Sequence, residues 1–278
     1  MAQNILVIGG SRHIGHDAAL RFLDAGATAT FLLRSPATFD NDEAIQKHVK
    51  SGKARLIKGD ALVIEDVRSL WAEAGKDAPV DLVLFTVGFT GNPKFQLTQG
   101  FVITPGNLVT QCLLNVLCTM PPPTSDAPSP KIITLSTSGV SRSSRAKVPF
   151  LLKAFYGYLI QHPLRDKLGM ERVIYHCAGW EWNAGDGEPG EAIMGAGWKD
   201  REGLPERGTL KDAMVLRPAA LTDGECVADS GKKKTPYRAG EGEVSGWSVS
   251  RKDVAHFIFD AVANHWDEYG NKQVSIAY

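Results

Sequence analysis

The chain has 278 residues, and its 31 lysines and arginines balance 31 aspartates and glutamates, so its formal net charge is zero. A protein that chiefly binds nucleic acid carries an excess or a stripe of basic residues. The balance therefore argues against nucleic-acid partners. Hydrophobic residues make up 43% of the chain and charged residues 22%, which argues against a disordered or fibrous protein and fits one globular domain.

The sequence predicts no membrane segment, secretory signal or metal site. No apolar run approaches the roughly 20 residues that a bilayer-spanning helix needs, and the first residues pass directly into a predicted strand. The four cysteines show neither the CxxC spacing of zinc sites nor a disulfide pattern. We therefore expect a cytoplasmic protein, monomeric or homodimeric, without a metal or a membrane partner.

Short apolar runs alternate with amphipathic stretches through the first two thirds of the chain, which predicts a parallel sheet covered by helices on both faces. The predicted strands are residues 4–8, 29–33, 54–58, 82–87, 132–136 and 213–216. The predicted helices are residues 14–25, 64–74, 106–119, 164–178 and 254–263. The expected fold class is therefore α/β with a doubly wound parallel sheet, in one domain covering residues 1–278.

A glycine-rich turn between the first strand and the first helix reads Gly9-Gly10-Ser11-Arg12-His13-Ile14-Gly15. In this context, backbone N–H groups at the helix N-terminus can bind the pyrophosphate of a dinucleotide. Gly9 permits the tight turn, and Gly15 lets the helix approach the strand. Arg12 or His13 replaces the middle glycine, depending on whether the spacing is GxxGxxG or GxxxGxG. Phosphate contact is favoured for Arg12, and solvent exposure for His13.

Residues after the later strands extend the predicted binding site. Arg34 and Ser35 follow the second strand, where NAD enzymes place an acidic residue against the ribose 2′-hydroxyl. A cation and a hydroxyl suit the 2′-phosphate of NADP instead, so NADP is the predicted cofactor. Asp60, followed by Ala61, either meets the adenine or belongs to the cap of the next helix. Thr86-Val87-Gly88 ends the fourth strand, where small residues leave room for the adenosine ribose.

Several segments together resemble the atypical short-chain dehydrogenases and reductases, especially the NmrA-like group that includes flavin reductases of the biliverdin reductase B type. The segments are the glycine turn, Leu33-Arg34, Gly59-Asp60, Ser136-Thr137-Ser138, residues 217–223 and residues 248–255. The resemblance covers most of the chain except residues 180–208. It implies a Rossmann fold with NADP, and it adds Ser136, Lys167, Pro218 and Ala219 to the expected cofactor contacts.

The same resemblance implies a catalytic serine, tyrosine and lysine. Ser138 stands at the expected place after the fifth strand, and Lys167 matches the lysine of the family. The family tyrosine precedes that lysine by four residues, but the chain has Pro163 there. Tyr156 and Tyr158 lie in an apolar stretch that either packs or lines a pocket, and Tyr156 is taken as the candidate catalytic residue.

Residues 180–208 interrupt a connection that is normally only a few residues long. We predict that this segment forms a lid over the substrate, with residues 219–250 as part of the substrate region. Trp180, Trp182 and Trp198 could contact a planar substrate. Alternatively, these tryptophans anchor a long loop to the core or form a dimer face.

These features favour an NADPH-dependent oxidoreductase that transfers hydride to a small organic acceptor, such as an aromatic compound, an enone or another carbonyl. The acceptor would lie over Ser138. Because the usual tyrosine is missing from its position, the proton would come from water, the substrate or residues 180–208. The alternatives are a non-catalytic NADP-sensing regulator and a non-redox isomerase on the same fold.

Overall fold

The computed structural model describes residues 3–88, 94–96, 100–102, 104–146 and 160–278. The strands are β1 (Asn4–Ile8), β2 (Thr28–Leu33), β3 (Ala54–Lys58), β4 (Leu82–Phe85), β5 (Lys94–Gln96), β6 (Gly100–Val102), β7 (Lys131–Leu135), β8 (Ala213–Pro218), β9 (Ala220–Thr222), β10 (Arg238–Glu241), β11 (Ser248–Ser250) and β12 (Lys272–Ala277). The α-helices are α1 (His13–Asp24), α2 (Glu43–Lys50), α3 (Ile64–Gly75), α4 (Leu108–Cys118), α5 (Arg142–Ala146), α6 (Gln161–Ala178), α7 (Glu191–Met194), α8 (Arg251–Asn264) and α9 (Trp266–Tyr269).

Eight strands form one sheet in the order β10-β12-β8-β7-β4-β1-β2-β3. Every neighbouring pair is parallel except β10 and β12, which are antiparallel. From β1, the strands β2 and β3 are added on one side of the sheet, and the next strand of this sheet, β4, is added on the other side of β1. This reversal leaves a crevice at the carboxyl ends of the strands, where doubly wound sheets bind ligands. The predicted doubly wound α/β fold is confirmed.

Two apolar layers cover the two faces of the sheet. On one face, α1 and α8 pack together and bury side chains such as Phe22 and Phe257. On the other face, α3, α4 and α6 bury side chains such as Leu113 and Ile174. Because both faces are covered, the central strands read as continuous apolar runs rather than as alternating ones.

Several elements of the structure differ from the prediction. The sequence did not predict the helices α2, α5, α7 and α9 or the strands β5, β6, β9, β10, β11 and β12, and β4 ends at Phe85 rather than at residue 87. α8 begins at Arg251 because the Ser250 hydroxyl accepts a hydrogen bond from the backbone N–H of Asp253 at 2.9 Å and caps the helix. Across the described ranges, no helix is long and apolar enough to cross a membrane. The same ranges hold no group of three His, Cys, Asp or Glu side chains placed to bind a metal.

Candidate functional site

A cleft of about 610 Å³ lies at the carboxyl edge of the sheet, around the point where the strand order reverses. Its walls are the turns after β1, β2, β3, β4 and β7, together with the first turns of α4 and α6. The predicted site residues that line it are Gly9, Ser11, Arg12, His13, Ile14, Gly15, Arg34, Ser35, Asp60, Ala61, Val87, Gly88, Ser136 and Lys167. The structure thus brings most of the predicted cofactor contacts to one place.

The glycine turn brings α1 very close to the end of β4. A Cβ on Gly9 would lie 2.5 Å from the backbone nitrogen of Val87, and one on Gly15 would lie 2.2 Å from Oγ1 of Thr86. A side chain at Gly9 would therefore displace the backbone that follows β4, and one at Gly15 would displace the Thr86 side chain and the glycine turn itself. His13 has a φ of 54°, in the left-handed region that favours glycine. The spacing is therefore GxxxGxG, with His13 at the place of the middle glycine.

Two turns form the far end of the cleft. Arg34, after β2, is exposed and makes no side-chain hydrogen bond among the residues that the structure describes, and Thr38 lies beside it in the wall. After β3, a carboxylate oxygen of Asp60 accepts from the backbone N–H of Leu62 at 2.9 Å. The N-cap of α3 is Val63, so Asp60 does not cap the helix. Its carboxylate closes the turn before the helix, and the residue also lines the cleft.

Lys167 projects from α6 to the point where β4 and β7 end. Its Nζ donates to the backbone carbonyl oxygens of Val87 at 2.8 Å and Leu135 at 2.5 Å. An ammonium group has three N–H donors, so one remains for a ligand in the cleft. Burial lowers the pKa of Lys167 to about 8, although the negative charges of Asp166 and Glu171 oppose this shift.

Two buried contacts hold α6, and with it Lys167, in place. The carboxylate of Asp166 accepts from the backbone N–H groups of Val109 and Thr110, at 2.8 and 2.9 Å, at the start of α4. Burial raises the pKa of Asp166, while these hydrogen bonds act against the rise. On the next turns, Glu171 makes two hydrogen bonds to the guanidinium of Arg217 on β8, at 2.8 and 2.5 Å. The helix is therefore fixed against both α4 and the sheet.

The serines after β7 occupy different surroundings. Ser136 lines the cleft, and its hydroxyl is buried without a hydrogen-bond partner among the residues that the structure describes. The Ser138 hydroxyl donates instead to the backbone carbonyl of Arg217 at 3.4 Å, and Ser138 is absent from the described wall of the cleft. The prediction that the acceptor lies over Ser138 is therefore not supported. The neighbouring Thr137, which was not predicted as a site residue, does line the cleft.

The segment after β8 contributes different residues from those predicted. Pro218 and Ala219 lie in the sheet region, where the Ala219 N–H donates to the carbonyl of Ile276 at 2.9 Å, and neither lines the cleft. Leu221 and Arg251 do line it. No local motif marks these two residues, because they lie far from the other cleft residues in the chain.

The position four residues before Lys167 also faces the ligand space. Pro163 lines the cleft from the first turn of α6, where proline is tolerated because the N–H groups there lack helical partners. The place where the resemblance implies a tyrosine is therefore part of the site. Tyr156 and Tyr158 lie outside the described residues.

Residues 180–208 lie against the helices α4 and α6. Trp180 and Trp182 meet Tyr175 of α6 edge-on, each with ring centroids 5.2 Å apart, and Trp198 contacts the same helix. Arg201 donates to the side-chain oxygen of Asn115 on α4 at 2.8 Å. Of the described residues in the cleft wall, none belongs to this segment. These contacts are those of the anchored loop, the alternative that the sequence left open, and the lid over the substrate stays a prediction.

Two fungal proteins are similar to this chain in sequence. No protein-family model matches the chain. A reductase of Aspergillus terreus, pytE, is 28% identical over 157 residues, which cover 56% of this chain and 51% of that protein. The chain thus matches about half the length of that reductase. An oxidase of Aspergillus niger, pynE, is 24% identical over 267 residues and covers 86% of this chain and 85% of that protein.

Solved structures match over nearly the whole chain. The anaerobillin reductase ChuY of Escherichia coli O157:H7 has a TM-score of 0.57 at 16% identity and covers 98% of this chain and 96% of its own. A short-chain dehydrogenase of Burkholderia cenocepacia in complex with NADP has a TM-score of 0.57 at 12% identity, covering 100% and 97%. The chain has the fold of short-chain dehydrogenases.

A third structure, a blue fluorescent protein from a metagenomic library in complex with NADPH, has a TM-score of 0.56 at 16% identity and covers 98% of this chain and 95% of that chain. At such identities these likenesses establish the fold and not the reaction. The resemblance predicted from the motifs to atypical short-chain dehydrogenases is confirmed at the level of the fold.

Proposed function

We propose that the protein is an oxidoreductase that binds NADPH in the cleft and transfers its hydride to a small organic acceptor. The observation that carries the proposal is one continuous cleft. It joins the glycine turn and Arg34 at one end to Lys167 and Ser136 at the other. The reductase and oxidase names of the two fungal relatives, and the NADP and NADPH in two related structures, support the same chemistry.

The residues present fit a phosphorylated dinucleotide. Gly9 and Gly15 leave a cradle that any Cβ would fill. Backbone N–H groups from Ser11 to Ile14 at the start of α1 would bind the pyrophosphate. Arg34 has no hydrogen-bond partner of its own among the described residues, and it would bind the 2′-phosphate with Ser35.

The other end of the cleft fits the nicotinamide and the acceptor. The buried Ser136 hydroxyl, which lacks a partner, would donate to the nicotinamide or to the acceptor, because an unpaired buried hydroxyl costs free energy until a ligand satisfies it. Lys167 would direct its remaining N–H at the ligands that meet at this end of the cleft, the nicotinamide part of the cofactor or the acceptor. Leu221 supports the assignment of residues 219–250 to the substrate region. When bound, the cofactor would supply the hydride, and the protein would supply position and electrostatics.

A second function, binding of NADP without catalysis, is favoured by one observation. Pro163 occupies the cleft position where the resemblance implies the proton-transferring tyrosine. A regulator that senses NADP would keep the nucleotide contacts and would need no proton donor.

Binding and turnover measurements separate the two functions. Quenching of tryptophan fluorescence by NADPH measures binding, and the loss of reduced-nicotinamide absorbance with quinone, flavin and enone acceptors measures turnover. We expect both. Tight binding without turnover across the acceptor panel would support the sensor, and failure to bind NADPH or NADP would contradict both functions.

A further inference from the structure

The reduction of a carbonyl or enone needs a proton as well as a hydride, and few described groups in the cleft can give one. Pro163 has a ring without an acidic proton. Cys112 lines the cleft, but burial raises the pKa of its thiol to about 12, and a thiol is a weak hydrogen-bond donor. The Ser136 hydroxyl can orient an acceptor but is not acidic. Among the described residues at this end of the cleft, the ammonium group of Lys167 is the remaining acid.

The geometry aims this ammonium group at the ligand space. Two of its N–H groups point to the carbonyl oxygens of Val87 and Leu135, on two adjacent strands. Leu135 directly precedes Ser136, so Lys167 binds the chain one residue before the serine whose hydroxyl has no partner among the described residues. With α6 fixed by Asp166 and Glu171, and two N–H groups of Lys167 bound to carbonyl oxygens, the third N–H is left for a ligand in the cleft that Lys167 lines.

We propose that Lys167 itself donates the proton of the reaction to the acceptor, in the role that a tyrosine four residues earlier plays in the family it resembles. This inference rests on the proposed function. The acceptor carbon takes up the hydride while the carbonyl π electrons move to oxygen, and that oxygen takes a proton from Nζ. One N–H bond breaks as one O–H bond forms, the carbonyl is reduced to an alcohol and the nicotinamide is oxidised. Water then returns a proton to the amine.

The surroundings of Lys167 suit a general acid. Such a group works best when its pKa is near the working pH, and burial lowers the pKa of Lys167 to about 8, from its ordinary 10.5. The negative charges facing it, Asp166 and Glu171, are on its own helix, and Arg217 of β8 neutralises Glu171. The other titratable or charged groups in the cleft wall are Arg12, His13, Arg34, Asp60, Cys112 and Arg251.

The first test removes the Lys167 side chain and then supplies a small ammonium ion in solution to take its place as the acid. Lys167→Ala should lower the single-turnover rate about 100-fold or more, in the range that general acids contribute. Ethylammonium and 2-fluoroethylammonium, which are close in size but differ in acidity, are then added in turn. If Lys167 donates the proton, the more acidic ion restores the faster rate. If Lys167 only binds the ribose, the two ions restore equal rates, and the proposal is overturned.

The second test uses the protein without cofactor. After reductive methylation with 13C, the NMR signal of Lys167, assigned by its absence in Lys167→Arg, should titrate near pH 8. Lys50→Ala removes an exposed lysine at the end of α2 and is the matched control. It should remove a different signal from the spectrum and leave the signal of Lys167 unchanged. A Lys167 signal that titrates near 10.5, the ordinary pKa of a lysine, would contradict the proposal.

The pH dependence of the wild-type rate identifies the donor. Because the acid form of Lys167 is needed, the rate should fall as the pH rises through about 8. His13→Gln, which removes a second titratable group from the cleft wall, should show the same decrease at high pH. The decrease at high pH should persist in Tyr156→Phe and Tyr158→Phe, and its loss in either variant would assign the proton to that tyrosine instead.

The outcomes also separate this inference from the proposed function. If the wild type binds NADPH but reduces no acceptor, the proposed function fails, and this inference fails because it rests on that function. If the wild type reduces acceptors and only the acidity dependence is absent, this inference fails alone.

Discussion

The two ends of the cleft are built in different ways. The nucleotide half, formed by the glycine turn, Arg34, Ser35 and Asp60, consists of turns that each directly follow a strand. The reaction half, formed by Ser136, Pro163, Lys167, Leu221 and Arg251, consists of residues from distant parts of the chain, and Lys167 lies 80 residues from its partner Val87. A local motif specifies the first half, whereas the packing of α6 and the end of β8 specifies the second. Mutations should therefore affect the two halves separately.

The largest expected effect is in the nucleotide half, at Gly15. Gly15→Ala places a Cβ 2.2 Å from Oγ1 of Thr86 and 2.8 Å from the carbonyl oxygen of Gly9, so the start of α1 must shift relative to the glycine turn. We expect at least about 100-fold weaker NADPH binding by fluorescence quenching and a loss of unfolding free energy of about 1–3 kcal/mol in urea. Gly75→Ala, at the end of α3 with open space around it, is the matched control and should change stability by at most about 0.5–1 kcal/mol. Wild-type affinity in Gly15→Ala would contradict the role of the turn.

Much of the nucleotide half and of the sheet could be predicted because the signals are local. All six predicted strands lie in the sheet, and each turn residue reaches the cleft because parallel strands end at a common edge. β12 escaped prediction because its polar residues mask a buried strand. Ser275 is 1% exposed and accepts a hydrogen bond from the side chain of Gln273 at 3.1 Å, a pairing that no apolar pattern reveals.

A narrower change in the nucleotide half is expected at Arg34. Arg34→Ala removes the cation assigned to the 2′-phosphate, and a charge-assisted hydrogen bond contributes about 1.5–3 kcal/mol. NADPH affinity should fall about 10- to 100-fold, while NADH affinity should stay within about two-fold, both measured by calorimetry. Arg68→Ala, which removes an exposed arginine paired with Glu65 on α3, is the control. An equal loss for both cofactors would assign Arg34 to a different part of the nucleotide.

In the reaction half, the two serines give a smaller and more specific test. Ser136→Ala should lower turnover about 10-fold, the effect of about 1.4 kcal/mol, because its hydroxyl is the buried one without a partner in the cleft. Ser138→Ala is the matched control and should change turnover by less than about two-fold, since its hydroxyl already donates to the carbonyl of Arg217. The reverse order of effects in steady-state kinetics would restore Ser138 as the catalytic serine.

The sequence alone could not settle the reaction half because side-chain direction there depends on distant partners. Ser138 extends the pairing of β7 with β8, where its N–H donates to the carbonyl of Pro218 at 2.8 Å. No residue near Ser138 in the sequence predicts that contact. The position of residues 180–208 depends likewise on aromatic packing against α6. Arg251 reaches the cleft from the first turn of α8 and pairs with Asp223 at 2.6 Å. Such contacts follow from the packed fold rather than from spacing.

The smallest expected effect on the cleft is at Arg201, which joins residues 180–208 to α4. Its guanidinium donates to Gln111 at 3.1 Å and to Asn115 at 2.8 Å. Arg201→Met should lower the unfolding free energy by about 1–2 kcal/mol in urea and leave NADPH affinity and turnover within about two-fold. Lys199→Met, an exposed change in the same segment, controls for loss of charge. Because the segment lies against the helices, a large loss of turnover with unchanged stability would mean that it reaches the reaction half in the working enzyme, as the lid prediction requires.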